Sequence, residues 1–303
     1  MNDRLIQRLR ALTGEDGVLP GEPLARHCSF RTGGPADLLV RVRTEAQLAG
    51  VLEILREEDM EVFLLGRGTN ILVGDRGLRG AAVTLEGDLA GVSAEGDILR
   101  AGGGAALSRA AAEALANGLT GLEFAAGIPG SAGGAVVMNA GAYGGEMRQV
   151  VRKVRLLCED GTFREYTGEE MAFGYRTSRL VKERAVVTEV TFALAPGDPA
   201  EILAKMDDLA ARRREKQPLE YPSAGSTFKR PEGHFAGKLI EDAGLRGYAV
   251  GGAQVSEKHC GFVINRGGAT SAEIRQLIEQ VQEKVLETSG VGLEREVIYL
   301  GEF

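Results

Sequence analysis

Between Phe124 and Gly145 the sequence carries no charged side chain, and seven of the residues in that stretch are glycine. It is long enough to cross a bilayer. Its glycines, with Pro129, Ser131 and Asn139, break helices and add more polar groups than a spanning helix tolerates, so the stretch reads as a buried loop system. Glycines this dense lay bare consecutive amide N–H groups, which can cradle a pyrophosphate without a lysine. The competing reading is a tight crossing of backbones with room only for small residues. The same bias runs through the chain: 43 of 303 residues are glycine, beside 9 prolines and no tryptophan, roughly twice the usual glycine share.

A chain of 303 residues implies about two domains. With 44% hydrophobic and 26% charged residues it can bury an ordinary core. A net charge of −7 argues against nucleic-acid binding through bulk positive charge. Cys28, Cys158 and Cys260 lie far apart, with no CxxC and no Cys/His ligand spacing, so neither a disulfide scaffold nor a metal site is expected. The charged start, Met1 to Ile6, lacks a signal-peptide core. The expectation is a soluble, cytoplasmic protein.

Apolar runs alternate with helical patterns, which suggests an α+β fold. Helices are expected over 1–12, from Thr44 to Glu57 behind a Thr44/Gln47 capping box, and from Ala105 to Ala116. Others are expected up to Lys216, near 236–243, and from Ser271 to Thr288 behind a Thr270/Glu273 box. Val62 to Leu65 reads as a short buried strand, Ala185 to Leu194 as a strong strand, and Leu293 to Leu300 as a closing strand. Glu159-Asp160-Gly161 marks a hairpin, and Ala195 to Pro199 is the strongest linker signal.

Two loops carry the candidate binding chemistry. Gly66-Arg67-Gly68-Thr69-Asn70 follows a strand, so its amides lie where sheets commonly bind ligands; it is neither a Walker A loop nor a Rossmann fingerprint. The second loop system runs from Ala126 to Gly144. Further along, Tyr175-Arg176-Thr177-Ser178 offers a cation in a basic neighbourhood that would otherwise pass for surface. Ala224 to Pro231 contains Ser226, whose common fate beside glycine is to cap backbone amides. In Leu293-Glu294-Arg295-Glu296-Val297 the strand period puts both glutamates on one face, so spacing alone cannot choose between them. Arg212 to Lys216 is a basic run at a helix end, ordinary macrodipole matching. His27, His234 and His259 form no triad pattern.

The two glycine loops, in that order and spacing, resemble the FAD-binding module of the vanillyl-alcohol-oxidase and p-cresol-methylhydroxylase (VAO/PCMH) type. With the YRxS-like, GSxFK-like and LExEV-like segments added, the chain from Phe30 onward resembles the MurB family of UDP-N-acetylenolpyruvoylglucosamine reductases, in its shorter form. The resemblance implies an α+β VAO/PCMH-type FAD-binding fold of two subdomains over 30–196, after an N-terminal lead-in over 1–29. A connecting helix over 197–217 and a C-terminal α+β substrate domain over 218–303 would follow. It implies FAD as cofactor, with Gly66, Arg67, Gly68, Thr69, Asn70, Gly127, Ile128, Pro129, Gly130, Ser131, Gly133, Gly134, Asn139, Gly141, Ala142 and Tyr143 around it.

It further implies NADPH as hydride donor and reduction of a UDP-sugar enolpyruvate to UDP-N-acetylmuramate in peptidoglycan precursor synthesis. Hydride addition drives charge onto the substrate carboxylate as an enediolate, so a cation or acid is needed there and a proton donor at the adjacent carbon. The family's pattern assigns Arg176 and Glu296 to the carboxylate and Ser226 to the proton. Tyr175, Lys216, Lys229 and Gln254 are implied on the substrate side. Arg230 stands where some members have asparagine. A monomer without nucleic-acid or membrane partners is expected. The enzyme rival is a flavin-dependent alcohol or hydroxy-acid oxidase of the same fold; the non-enzyme rival is a nucleotide-sugar binding protein.

Overall fold

A computed structural model describes residues 3–303, and its helices follow the apolar spacing: α1 (Asp3–Thr13), α2 (Glu45–Glu57), α3 (Leu107–Ala116), α4 (Ala132–Val137), α5 (Pro199–Lys216), α6 (Ala236–Asp242) and α7 (Ser271–Ser289). Met1 and Asn2, the start of the helix expected over 1–12, lie outside the described residues. The chain divides into two units. The first holds residues up to Leu19, Leu38–Arg67 and Ala81–Arg213; the second holds Pro20–Asp37, Gly68–Gly80 and Arg214–Phe303.

In the first unit an antiparallel sheet runs in the order Phe163–Thr167, Val151–Cys158, Ala185–Ala193, Ile98–Gly102, Val92–Glu95. The expected hairpin joins its first two strands. Leu99, Val190 and Phe192 from the sheet share one buried core with Ala110, Ala111 and Ala114 of α3, whose small side chains let the helix lie close. A second core of the same unit packs Leu5 and Leu9 of α1 and Leu48, Val51 and Leu55 of α2 against Leu38, Val40 and Val42.

Only half of the expected α2 capping box forms. Thr44 Oγ1 accepts from the Gln47 amide at 3.2 Å, but Gln47 Oε1 accepts from the Arg43 amide at 2.8 Å, one residue upstream of the cap. Glu45, in the first turn, accepts from Arg155 Nε and Nη2 at 2.8 and 3.1 Å and from the Thr188 hydroxyl at 2.8 Å, which ties α2 to the sheet. The Arg155 guanidinium beside Glu45 holds that carboxyl below its usual range.

Two expectations change here. The strand Val62–Leu64 pairs parallel with Leu78–Leu85 at the edge of its sheet and leaves Leu64 45% exposed, so it is not buried. Ala195–Pro196, read as linker, pairs antiparallel with Leu119–Thr120. Across the described residues no helix is long and apolar enough to cross a membrane.

The second unit is built on α7. Ile274, Leu277, Ile278, Val281 and Val285 form its apolar stripe and are all fully buried. The Thr270/Glu273 box is complete, and Asp75 adds to it: its two carboxylate oxygens accept from the Ser271 and Ala272 amides, each at 2.8 Å. A three-stranded antiparallel sheet, Ala249–Val250, Ala253–Val255 and Val263–Asn265, lies against this helix. Ile298–Leu300 pairs parallel with Ile71–Val73.

The closing strand is shorter than expected. Glu296 and Val297 both direct their amides at the Thr227 carbonyl, at 2.9 and 3.5 Å, which breaks the two-residue alternation, and regular pairing starts only at Ile298. His259 serves the fold: its Nδ1 accepts from the Gly261 amide at 3.0 Å and its ring meets Phe262 edge-on.

Two outcomes follow from these contacts. Asp75→Ala leaves two amides at the start of α7 without their acceptors and is expected to cost about 1–2 kcal/mol, read from urea denaturation; an unchanged midpoint contradicts the capping role. Burial holds the His259 ring's pKa below its ordinary 6.5. The stability contributed by its neutral form is therefore full above that value and is lost as pH falls from it toward the lower folded value. An NMR titration placing His259 at or above 6.5 would contradict this.

Candidate active site

The glycines of the uncharged stretch fall into two groups. A Cβ at Gly133 would lie 3.0 Å from the Gly103 carbonyl, and the Gly133 amide bonds to that same oxygen, so this residue serves a close backbone crossing. Gly127, Gly134 and Gly144, together with Pro129 and Tyr143, are instead exposed, and Gly130 is half-exposed. The segment read as a buried loop system thus presents an outward face of uncharged backbone. The tight crossing of backbones holds at Gly133, while the exposed glycines leave their backbone facing outward. Ser131 caps α4 by accepting from the Gly134 amide, and a Cβ built on Gly66 would come within 2.8 Å of its hydroxyl, so Gly66 and this face meet in the first unit.

The other glycine of the Gly66–Asn70 loop has a different task. Gly68 (φ +61°) is buried in the second unit, where a Cβ would overlap the His27 carbonyl. Arg67 is exposed, and Thr69 and Asn70 are half-buried.

Asn139 joins the glycine stretch to the Tyr175–Ser178 turn. It is 2% exposed and in the left-handed region (φ +42°), where asparagine is better tolerated than most residues. Its Nδ2 donates to Glu146 Oε2 and to the Gly174 carbonyl, both at 3.0 Å, and its Oδ1 accepts from the Arg148 amide at 3.0 Å. The second tie is Ser178, whose buried hydroxyl donates to the Val137 carbonyl at 2.9 Å. Gly174 and Thr177 close the turn by bonding to each other, and Arg176 at its tip has φ +52°. An arginine in that region costs of order 1–3 kcal/mol and persists only where its surroundings fix it. Tyr175 is 57% exposed, with the Arg176 guanidinium 5.6 Å from its ring centroid.

In the second unit Ser226 is exposed beside a fully buried Thr227. Thr227 is pinned on both sides: its amide donates to Gly261 at 2.9 Å, its Oγ1 accepts from Val263 at 3.0 Å and its carbonyl accepts from Glu296 at 2.9 Å. The Ser226 segment therefore runs alongside Glu296. Asn70 Nδ2 donates to the Glu296 carbonyl at 3.2 Å and the Asn70 carbonyl accepts from Ile298, so Asn70 positions Glu296. That role was not visible in the spacing. Lys229 is ion-paired with exposed Glu294, which separates the two glutamates of the motif. Gln254 is buried and committed at both ends, donating to Gly247 at 2.9 Å and accepting from Arg266 at 3.1 Å. Lys216 is exposed at the end of α5.

Residues 36–167 match the FAD binding domain family, and residues 217–300 match the C-terminal domain of UDP-N-acetylenolpyruvoylglucosamine reductase. The reductase of Lachnoclostridium phytofermentans is 47% identical over 100% of this chain and 99% of its own length; that of Caldanaerobacter subterraneus subsp. tengcongensis is 49% identical over 100% of both. The crystal structure of UDP-N-acetylenolpyruvylglucosamine reductase (MurB) from Thermus caldophilus superposes with a TM-score of 0.81 at 35% identity, over 93% of this chain and 98% of that one. p-Cresol methylhydroxylase, at 14% identity and a TM-score of 0.50 over 97% of this chain and 66% of that one, shares the fold. The family and the VAO/PCMH-type fold expected from the motifs are the ones found, and the match over 217–300 favours the reductase over the oxidase reading. The chain belongs to the UDP-N-acetylenolpyruvoylglucosamine reductase family.

Proposed function

We propose that this reductase works on UDP-N-acetylglucosamine enolpyruvate through Arg176, Glu296 and Ser226, with FAD seated on the outward glycine face. The residues fit a flavin dinucleotide. The exposed stretch of uncharged backbone and the Gly66 cradle, which a side chain would fill, are what a diphosphate needs if amides rather than lysines hold it. When bound, FAD supplies the chemistry that side chains lack, taking hydride from NADPH and passing it to the enolpyruvyl methylene carbon.

The side chains manage the charge and the proton that this transfer leaves behind. Arg176 takes the substrate carboxylate in its planar fork, from a turn whose backbone is held by Asn139 and Ser178. Glu296 is the acidic partner of the substrate carboxylate in this reading. Ser226 delivers a proton to the adjacent carbon, and its exposed position lets water replace that proton. The observation that carries the reading is the backbone bond from Glu296 to Thr227, which ties the segment bearing Glu296 to the one bearing Ser226. Lys216 and Tyr175 are exposed and available to the nucleotide sugar; the ion-paired Lys229 and the committed Gln254 shape its surroundings. A cytoplasmic, monomeric protein belongs to the same proposal.

Ser226→Ala is expected to leave flavin reduction by NADPH nearly unchanged and to slow reoxidation by the enolpyruvyl substrate by about 10²–10⁴-fold, measured by stopped-flow absorbance. Equal loss in both half-reactions would contradict the assignment.

A further inference from the structure

Among the three consecutive arginines near the end of α5, Arg213 turns inward. Arg212 is exposed and ion-paired with Asp208 at 2.8 Å, and Arg214 is exposed. Arg213 is half-buried, and among the described residues no carboxylate pairs with it. Its side chain lies along the open glycine face: a Cβ built on Gly127 would sit 3.5 Å from both its Cδ and its Nη1. The nearby titratable group is the phenol of Tyr143, itself in the left-handed region (φ +53°) and exposed. Burial pulls the Arg213 pKa down, yet a guanidinium stays charged at neutral pH.

The helix that carries this side chain is also tied to the start of the glycine stretch. Lys205, two turns earlier, pairs at 3.4 Å with Glu123, which is 3% exposed and also accepts from Thr120 and the Gly121 amide. Burying a cation without a counter-charge is costly, so the arrangement calls for an anion from elsewhere.

We infer that Arg213 is the counter-cation of a diphosphate subsite, its guanidinium completing the uncharged amide face around Gly127 for a dinucleotide or nucleotide-sugar diphosphate. The inference rests on the flavoprotein reductase reading and adds to it a residue that macrodipole matching at a helix end would otherwise explain away. A planar fork facing two phosphoryl oxygens gives the geometry that amides alone lack.

The test uses the full-length chain with Arg213→Met, which keeps the apolar stem and removes the charge, and Arg213→Lys, which keeps a charge without the fork. Flavin-stripped protein is titrated with FAD and with FMN, and the reloaded protein with UDP-N-acetylglucosamine. R213M is expected to weaken FAD at least tenfold while leaving FMN, which has no diphosphate, unchanged, and R213K to recover part of the loss. Weakening confined to UDP-N-acetylglucosamine assigns the subsite to the nucleotide sugar instead. Unchanged affinity in both titrations overturns the inference and leaves Arg213 a packing residue. If R213M loses the native circular dichroism spectrum, R213K decides: several-fold weaker binding of either diphosphate ligand supports the subsite, and wild-type binding of both overturns it. Failure of the unsubstituted chain to bind FAD would tell against the flavoprotein reading itself and would show before any substitution.

Discussion

One buried amide holds three segments of the first unit together. Asn139 uses both donors and an acceptor lone pair to join the glycine stretch, the Glu146–Arg148 segment and the carbonyl of Gly174. The Ser178 hydroxyl, bonded to the Val137 carbonyl, ties the Tyr175–Ser178 turn from its other end. Arg176 occupies a backbone region that a free arginine seldom adopts, so the turn must be over-determined by its surroundings. The loop proposed to offer amides to the cofactor and the turn proposed to offer a cation to the substrate are thereby tied together. That is what preorganised charge stabilisation requires.

Glycine serves two opposite ends in this molecule. At Gly133 and Gly68 the missing side chain lets backbones touch, and a Cβ would strike protein. At Gly127 and Gly144 it leaves the backbone facing outward, in a stretch where no side chain brings charge. Composition alone cannot separate the two, because both demand the same residue. Only the position of the crossing strands and loops divides them, and that is a long-range property.

The same distinction explains what was legible in the residues. Elements governed by local spacing emerge as read: the α7 stripe, its Thr270/Glu273 box, the Glu159–Gly161 hairpin and the Ala185–Ala193 strand. Where distant partners decide, the reading changes. Val62–Leu64, whose partner strand is Leu78–Leu85, lies at a sheet edge with Leu64 outward. Thr227 draws two successive amides of the last segment to one carbonyl and cuts its strand short. Motif order brought Ser226, Glu296 and Arg176 to attention. The residues that tie their segments, Asn70 and Thr227 in one unit and Asn139 and Ser178 in the other, bond mostly to backbone atoms distant in sequence, which leave little trace in side-chain patterns.

The most direct test of the central coupling is a double-mutant cycle between Asn139→Ala and Arg176→Ala, read as the rate at which enolpyruvyl substrate reoxidises the reduced protein. If the buried amide works by fixing the arginine turn, removing it should matter little once the guanidinium is gone. The effects should then be non-additive by about 1 kcal/mol or more. Additive losses would mean that Asn139 and Arg176 act independently.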